Sequence, residues 1–269
     1  MRGIEQIGLV DDEDIALDDA ALALAALDQP DADLAEHRNR ISRLSARLAI
    51  FAAAAVTPAA QARLLARVIA DENGMVGDSD QYDDPANADL MKLLDRRRGL
   101  PVTLSILYVA LARRAGWAAD PLNVPGHVLV RLGREPLSVI IDPFDGGRIL
   151  DATALEALLT RFAGSYARVE AGHLAPLSNR AVLVRLLTNQ ATRASRSGDI
   201  ARARELYERM TSIAPGFTGL WWERARLEQL AGHATEARAS LLAMMETTRD
   251  TLLTARIRTA LTALARTTP

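Results

Sequence analysis

The chain has 269 residues, of which 49% are hydrophobic and 25% are charged, a composition typical of a globular protein with a substantial core. It has no cysteine, which excludes disulfides, thiolate metal ligands and cysteine nucleophiles. It has no run of about 18 apolar residues, and its first residues lack the pattern of a secretory signal, so we expect no membrane span and a cytoplasmic location.

Charge is distributed unevenly along the chain. Residues 1–95 carry 19 acidic and 8 basic residues, whereas residues 96–269 carry 15 acidic and 24 basic ones. We expect the two parts to attract each other within the protein. Nucleic-acid binding typically uses a basic stripe with interleaved aromatic residues, and only 4% of the residues are aromatic, so we predict no nucleic-acid ligand.

The first part of the chain is predicted to be helical. Apolar residues recur at helical spacing in three segments, and Asp31 or Asp33 is placed to cap the second of them. The acidic stretch 71–87 is rich in turn-forming residues and is typical of a loop. The predicted helices are 14–27, 34–51 and 58–69, with a short one following the loop at 87–97.

The most apolar helix is predicted at 102–115. Gly99, Leu100 and Pro101 open it, and proline suits a first helical turn because its missing N–H has no partner there. The helix is apolar on nearly every face, which predicts burial on several sides, and Gly116 ends it.

Short β-branched runs follow this helix. Residues 128–131 and 138–141 predict an antiparallel pair, 148–150 predicts one more short strand, and helix returns at 151–162. A buried helix that leads into a small antiparallel sheet indicates an α+β core.

From Asn179 onward the pattern is helical and repeats. Gly198 and Gly232 are 34 residues apart, as are Ala203 and Ala237, and this period is the tetratricopeptide signature. We therefore predict a first domain at 1–175, with a helical N-terminal part at 1–80 and a core at 81–175, followed by an all-α tetratricopeptide-like region at 176–269.

Three positions suggest an arrangement of nucleophile, histidine and acid. Pro101 opens the buried helix, His127 begins one strand, and Asp142 ends the next. Cysteine proteases and transglutaminases use this order because the helix dipole lowers the thiol pKa, the histidine accepts its proton, and the acid orients the imidazole. Those enzymes begin the helix with cysteine.

Three stretches carry a wider resemblance: 82–116 reads YDDPANADLMKLLDRRRGLPVTLSILYVALARRAG, 124–132 reads VPGHVLVRL, and 140–150 reads IIDPFDGGRIL. They resemble the bacterial SirB-type transglutaminase-like family, which implies a papain-like α+β core followed by tetratricopeptide-like helices. In catalytic relatives the cysteine stands 15 residues before the closing glycine, and counting back from Gly116 gives Pro101. The resemblance thus implies a degenerate triad of Pro101, His127 and Asp142, without thiol-dependent cross-linking or proteolysis.

Ser105 is the alternative nucleophile. It lies one turn beyond Pro101 on the same helix face, and with His127 and Asp142 it would form a serine- or water-dependent amide hydrolase. A serine one turn inside a buried helix lacks access, so the simpler interpretation is a hydroxyl that bonds back to the carbonyl of Pro101. His127 is correspondingly interpreted as a structural histidine bonded to Asp142, or as a ligand contact.

The leading hypothesis is a non-catalytic protein-binding or regulatory module that holds a protein or peptide in the cleft between Pro101, His127 and Asp142, in the repeat groove, or in both. Tyr82 and Asn87 match the loop of the resembled family. Of the adjacent Trp221 and Trp222 we expect one ring to be buried and the other to be more exposed, where it either packs on the core or anchors a contact. The spacing of the acidic residues after Asp142 is not that of a calcium loop, so we predict no metal and no cofactor. A structural subunit assembled through its charge asymmetry is a further alternative, and the oligomeric state stays open.

Overall fold

The computed structural model describes residues 3–163 and 174–267. A core unit comprises Asp12–Leu183, and a helical unit combines the residues up to Asp11 with those from Val184 onward. The α-helices in these ranges are α1 Glu5–Leu9, α2 Leu17–Ala26, α3 Leu34–Ala52, α4 Pro58–Ala66, α5 Leu90–Arg96, α6 Pro101–Arg114, α7 Ala152–Ala163, α8 Asn179–Arg196, α9 Ile200–Ile213, α10 Thr218–Leu230, α11 Ala234–Thr247 and α12 Thr251–Thr267. The strands are β1 Val76–Gly77, β2 Arg98–Gly99, β3 Ala119–Val124, β4 His127–Leu132, β5 Val139–Asp142 and β6 Arg148–Leu150.

Helix α6 is the central element of the core unit. Its residues from Pro101 to Ala112 are all buried, and it packs against α2 to α5 and against strands β3 and β4. Pro101 is its first residue, and Gly116, with φ of +77°, follows its last turn in the left-handed conformation that ends many helices. The predicted buried helix is confirmed.

The sheet has four antiparallel strands in the order β3–β4–β5–β6. Strands β4 and β5 are the predicted pair, whereas β3 was not predicted because Asp120 and Pro121 are unfavourable in strands. Proline is tolerated in β3 because this strand lies at the sheet edge, where one row of N–H groups needs no partner strand. Leucines of β3, β4 and β6 pack with Leu155 and Leu159 of α7.

The N-terminal helices of the core unit differ from the prediction mainly at their ends. Helix α2 begins at Leu17, after a 3₁₀ turn at Asp12–Asp14, and Asp33 caps α3 by accepting a hydrogen bond from the Glu36 N–H at 3.0 Å. Helix α4 ends at Ala66 and continues as a π-helical turn, Arg67–Asp71. Wide turns of this kind are rare and frequently occur at functional sites.

The predicted loop at 71–87 contains ordered structure. Strand β1 pairs in parallel with β2, which brings the loop beside the start of α6. The Arg96 guanidinium lies 2.7 Å from the Asp84 carboxylate, and a hydrogen bond from the Gln81 N–H is the main reason that the pKa of Asp78 lies below its ordinary value. The loop is therefore anchored at both ends.

The helical unit reproduces the 34-residue period in its geometry. Gly198 and Gly232 both have φ of +79° and each precedes a helix, while Ala203 and Ala237 are both 0% exposed in α9 and α11. Helix α10 packs against both of its neighbours, α9 and α11. No helix in the described part of the chain is long and apolar enough to cross a membrane.

The expectation for the paired tryptophans is wrong. Trp221 and Trp222 are both half-buried, because each packs partly on the core of α10 to α12. The Trp221 indole N–H donates to the Pro215 carbonyl at 2.8 Å, and the Arg256 guanidinium lies 5.2 Å from the centre of the Trp222 ring. Neither ring is a fully exposed anchor.

Candidate functional site

The histidine and the acid predicted from chain order form a buried pair. His127 Nε2 lies 2.9 Å from Asp142 Oδ1, and each residue is 4% exposed. Because His127 begins β4 and Asp142 ends β5, the sheet brings together two side chains that are 15 residues apart. The same Oδ1 also accepts a hydrogen bond from the Phe144 N–H at 2.9 Å. Asp142 thus fixes both the imidazole and the turn that follows β5.

An aromatic row extends from this pair. The Phe144 ring is 5.9 Å from the His127 ring and 5.8 Å from the Tyr82 ring, both in edge-to-face arrangements. Gly77 lies directly against the Phe144 ring, so closely that a Cβ there would overlap it, and the Gly77 N–H donates to the Phe144 carbonyl at 3.0 Å. Strand β1 therefore holds Phe144 in place.

Asn87 is a buried residue that connects the loop carrying Tyr82 to the start of α6. It is 0% exposed, and its carbonyl accepts hydrogen bonds from the Leu100 N–H at 2.9 Å and from the Thr103 hydroxyl at 2.8 Å. Its side-chain amide donates to the Gln81 carbonyl at 2.7 Å. These bonds tie the loop that carries Tyr82 to the first turn of α6.

A cleft of about 1130 Å³ lies beside the aromatic row. Its walls are formed by the end of the π-helical turn, the loop that carries Tyr82, the turn after β5 and one face of α7. His127 and Asp142 line it deeply, whereas Tyr82 is 37% exposed. Of the predicted site residues, the structure brings these three together, and Asn87 supports them from below.

Pro101 and Ser105 are buried in α6 and do not line this cleft. The Ser105 hydroxyl donates to the Val128 carbonyl at 3.1 Å, so the expected bond to the Pro101 carbonyl is wrong. The partner lies on β4, 23 residues away in sequence, because the helix face that carries Ser105 packs on the sheet. A serine that is 0% exposed and already donates its proton to a carbonyl lacks the access that a nucleophile needs.

Replacing Ser105 by alanine is expected to lower the free energy of unfolding by about 1 kcal/mol, the net contribution of one neutral hydrogen bond. Thr160→Ala is the matched control, since its hydroxyl donates to the Glu156 carbonyl at the surface, and we expect a change within about 0.5 kcal/mol. Urea unfolding measures both. A Ser105→Ala variant of unchanged stability that loses an amide-hydrolase activity of the wild type would contradict this assignment.

The Tyr108 hydroxyl is a further polar group near the site that the sequence did not reveal. Tyr108 is 0% exposed, and its hydroxyl has no hydrogen-bond partner among the residues that the structure describes. Burial raises its pKa, with further contributions from the negative charges of Asp71 and Asp142, so the hydroxyl stays protonated. It lies against Gly147, in the turn that lines the cleft.

Two cleft residues were absent from the sequence-based site. Phe144 stands two residues after Asp142, where an aspartate side chain commonly bonds the backbone N–H, so that signal was available. Asp71 ends the π-helical turn, and nothing local in the sequence distinguishes it from other loop aspartates. Within residues 3–163 and 174–267, no group of three or more His, Cys, Asp or Glu side chains is arranged to hold a metal ion.

The chain matches a known protein family over the residues that form this site. The family model described as "Transglutaminase-like superfamily" matches residues 35–188, more than half of the chain. The chain belongs to the transglutaminase-like superfamily. The matched residues include the whole aromatic row and the His127–Asp142 pair, so the candidate site lies within the transglutaminase-like part of the chain.

Related proteins occur in bacteria and in animals. A UPF0162 protein of Xylella fastidiosa (strain 9a5c) is 30% identical over 242 residues, which cover 87% of this chain and 85% of the relative. A UPF0162 protein of Vibrio cholerae is 31% identical over 124 residues, or 45% of each chain. The F-box only protein 21 of Homo sapiens is 32% identical over 78 residues, 29% of this chain and 12% of that protein. No solved structure gives a significant match.

Proposed function

We propose that this transglutaminase-like protein is non-catalytic and that its cleft binds an extended segment of a partner protein. The observation that carries the proposal is a cleft beside a His–Asp pair in a chain that has no cysteine. Pro101 opens α6, the chain has no cysteine, and the cleft beside His127 and Asp142 nevertheless has a volume of about 1130 Å³. Proline cannot attack a carbonyl carbon, so thiol-dependent acyl transfer is excluded.

The shape and lining of the cleft suit a peptide. An exposed tyrosine ring beside a half-buried phenylalanine offers the rigid aromatic surface that dominates many protein interfaces, and alanines and a leucine of α7 add apolar surface to the lining. His127, held by Asp142, retains a fixed orientation at the bottom of the cleft. A bound segment would therefore contact pre-organised side chains, which reduces the entropy cost of binding.

We also propose that the chain is of the SirB type, that its helical unit is tetratricopeptide-like, and that it works as a regulatory module in a bacterial cytoplasm. The equal φ angles of Gly198 and Gly232, and the buried alanines at equivalent positions, support the assignment of the repeats. Trp222, with Arg256 over its ring, is the aromatic candidate for a second binding surface on that unit. The cleft remains the surface to which we primarily assign peptide binding.

A phage-displayed library of random peptides, selected on the intact protein, tests the proposal. We expect enriched peptides whose affinity, measured by fluorescence anisotropy, falls at least about tenfold in Tyr82→Ala. Phe217→Ala is the matched control, because Phe217 is 39% exposed against 37% for Tyr82 but belongs to the helical unit, and Trp222→Ala probes the second surface. Failure to enrich any peptide, or binding lost in Trp222→Ala and kept in Tyr82→Ala, would contradict the assignment to the cleft.

A further inference from the structure

One carboxylate in the lining of the cleft has no partner among the described residues, unlike the other two. Arg148 lies 2.6 Å from Asp145, and Asp142 is bonded to His127. Asp71 is exposed at the end of the π-helical turn, and in the described parts of the chain it has no hydrogen-bond or ion-pair partner. This side of the cleft therefore presents a carboxylate that is available to a ligand.

The lining residues that α7 contributes are mostly apolar. Of the residues by which α7 lines the cleft, Arg161 is charged, and the rest are alanines and a leucine. The lining thus combines Asp71 and an acidic loop with apolar residues of α7. A peptide in this cleft meets an electrostatic preference for a positive side chain at Asp71.

The aromatic row defines the shape of that positive group. The Tyr82 and Phe144 rings are inclined at 64° to each other, so they form a corner and not a flat surface. A planar guanidinium can stack on one ring of such a corner while it donates in a fork to a carboxylate, whereas a lysine ammonium offers only a point charge. Val76 and Gly77 also line the cleft, and the Val76 side chain adds apolar surface to it.

A buried hydroxyl lies behind the turn that lines the cleft, although it does not itself line the cleft. The Tyr108 hydroxyl is buried behind Gly147, has no hydrogen-bond partner among the described residues, and is close enough to Asp71 and Asp142 for both charges to act on it. Both of these carboxylates line the cleft, so their negative charges favour a positive group bound at Asp71.

We propose that the cleft recognises an arginine side chain of the bound segment, with its guanidinium stacked on the Tyr82–Phe144 corner and hydrogen-bonded to Asp71. This inference rests on the proposed peptide-binding function and specifies its ligand. Asp71 acts as the specificity-determining residue, and the aromatic rings supply affinity for the plane of the guanidinium.

The test uses peptides enriched from the random library on the intact protein. We expect arginine at one fixed position, and we expect its replacement by citrulline, a neutral group of the same shape, to weaken binding at least about tenfold. Asp71→Asn should weaken the arginine peptide by a similar factor and leave the citrulline peptide unchanged. Asp80→Asn is the matched control, since Asp80 is an exposed carboxylate of the loop that carries Tyr82 but does not line the cleft, and we expect it to keep the arginine preference.

The failures of the two proposals are distinguishable. Peptides that enrich in the cleft but bind equally with arginine or citrulline would overturn the arginine assignment and leave peptide binding in place. An Asp71→Asn variant that binds both peptides like the wild type would also overturn it. A library that yields no binder would refute the proposed function, and the arginine assignment with it.

Discussion

Gly147→Ala is expected to destabilise the core unit by about 3 kcal/mol, which combines roughly 1–2 kcal/mol for a left-handed alanine with about 1–3 kcal/mol for overpacking. Gly147 has φ of +81°, and a Cβ there would lie 2.8 Å from the Tyr108 hydroxyl and 3.1 Å from the Ala66 Cβ. The turn that carries Phe144 and lines the cleft would have to move away from α6. Equilibrium unfolding in urea measures the loss.

Gly116→Ala separates the two contributions to this effect. Gly116 has nearly the same φ, +77°, but a Cβ there would meet nothing within 4 Å, so we expect a loss of only about 1 kcal/mol from the backbone conformation alone. Equal losses in the two variants would mean that the close approach between Gly147 and Tyr108 contributes nothing. The turn would then not depend on packing against α6.

Asp142→Ala is expected to lower the free energy of unfolding by about 3 kcal/mol. The substitution leaves His127 Nε2 and the Phe144 N–H without their shared acceptor in a site where each of His127 and Asp142 is 4% exposed, and unsatisfied buried polar groups cost about 1–3 kcal/mol each. The Phe144 ring should lose its fixed position as well. The measurement is again the urea midpoint at constant slope.

Asp145→Ala is the control for this second prediction. Asp145 is three residues away and lines the same cleft, but its ion pair with Arg148 is exposed, and such pairs contribute at most about 1 kcal/mol. Asp142→Asn should fall between the two, because the amide oxygen can still accept both hydrogen bonds but lacks the charge of the carboxylate. If Asp142→Ala were no more destabilising than Asp145→Ala, the buried pair would not be the structural centre of the site.

The parts of the fold that sequence reasoning found have strong local signals. The segment from Gly99 to Gly116 combines a glycine–proline start, a continuous apolar run and a glycine end, and each of these acts within a few residues. His127 and Asp142 were placed by strand order, and the sheet does bring them together. Asp33 was found as a cap because capping depends on neighbours three residues away.

The parts that were missed depend on tertiary contacts. Strand β3 contains Pro121 and is a strand only because it occupies an edge position. Helix α1 has five residues and no buried one, and it packs on α9 because Gly8 allows close approach to the Ser212 carbonyl. The partner of Ser105 is a carbonyl on another element.

The charge pattern of the cleft was equally hidden from sequence reasoning. Arg148 and Asp145 form an ion pair, whereas Asp71 has no ion-pair partner among the described residues, and nothing in the sequence distinguishes these three residues from one another. Sequence reasoning placed Tyr82 and Asn87 in the site together, because both belong to the loop that matches the resembled family. The structure separates their roles, since Tyr82 lines the cleft and Asn87 supports the start of α6.

The most direct test of a non-catalytic binding cleft is a crystal structure of the intact protein with a library-selected peptide. The account predicts an intact peptide between the Tyr82–Phe144 corner and α7, with no covalent bond to the protein. A peptide bound on the helical unit, a cleaved peptide, or an acyl bond to Ser105 would contradict it.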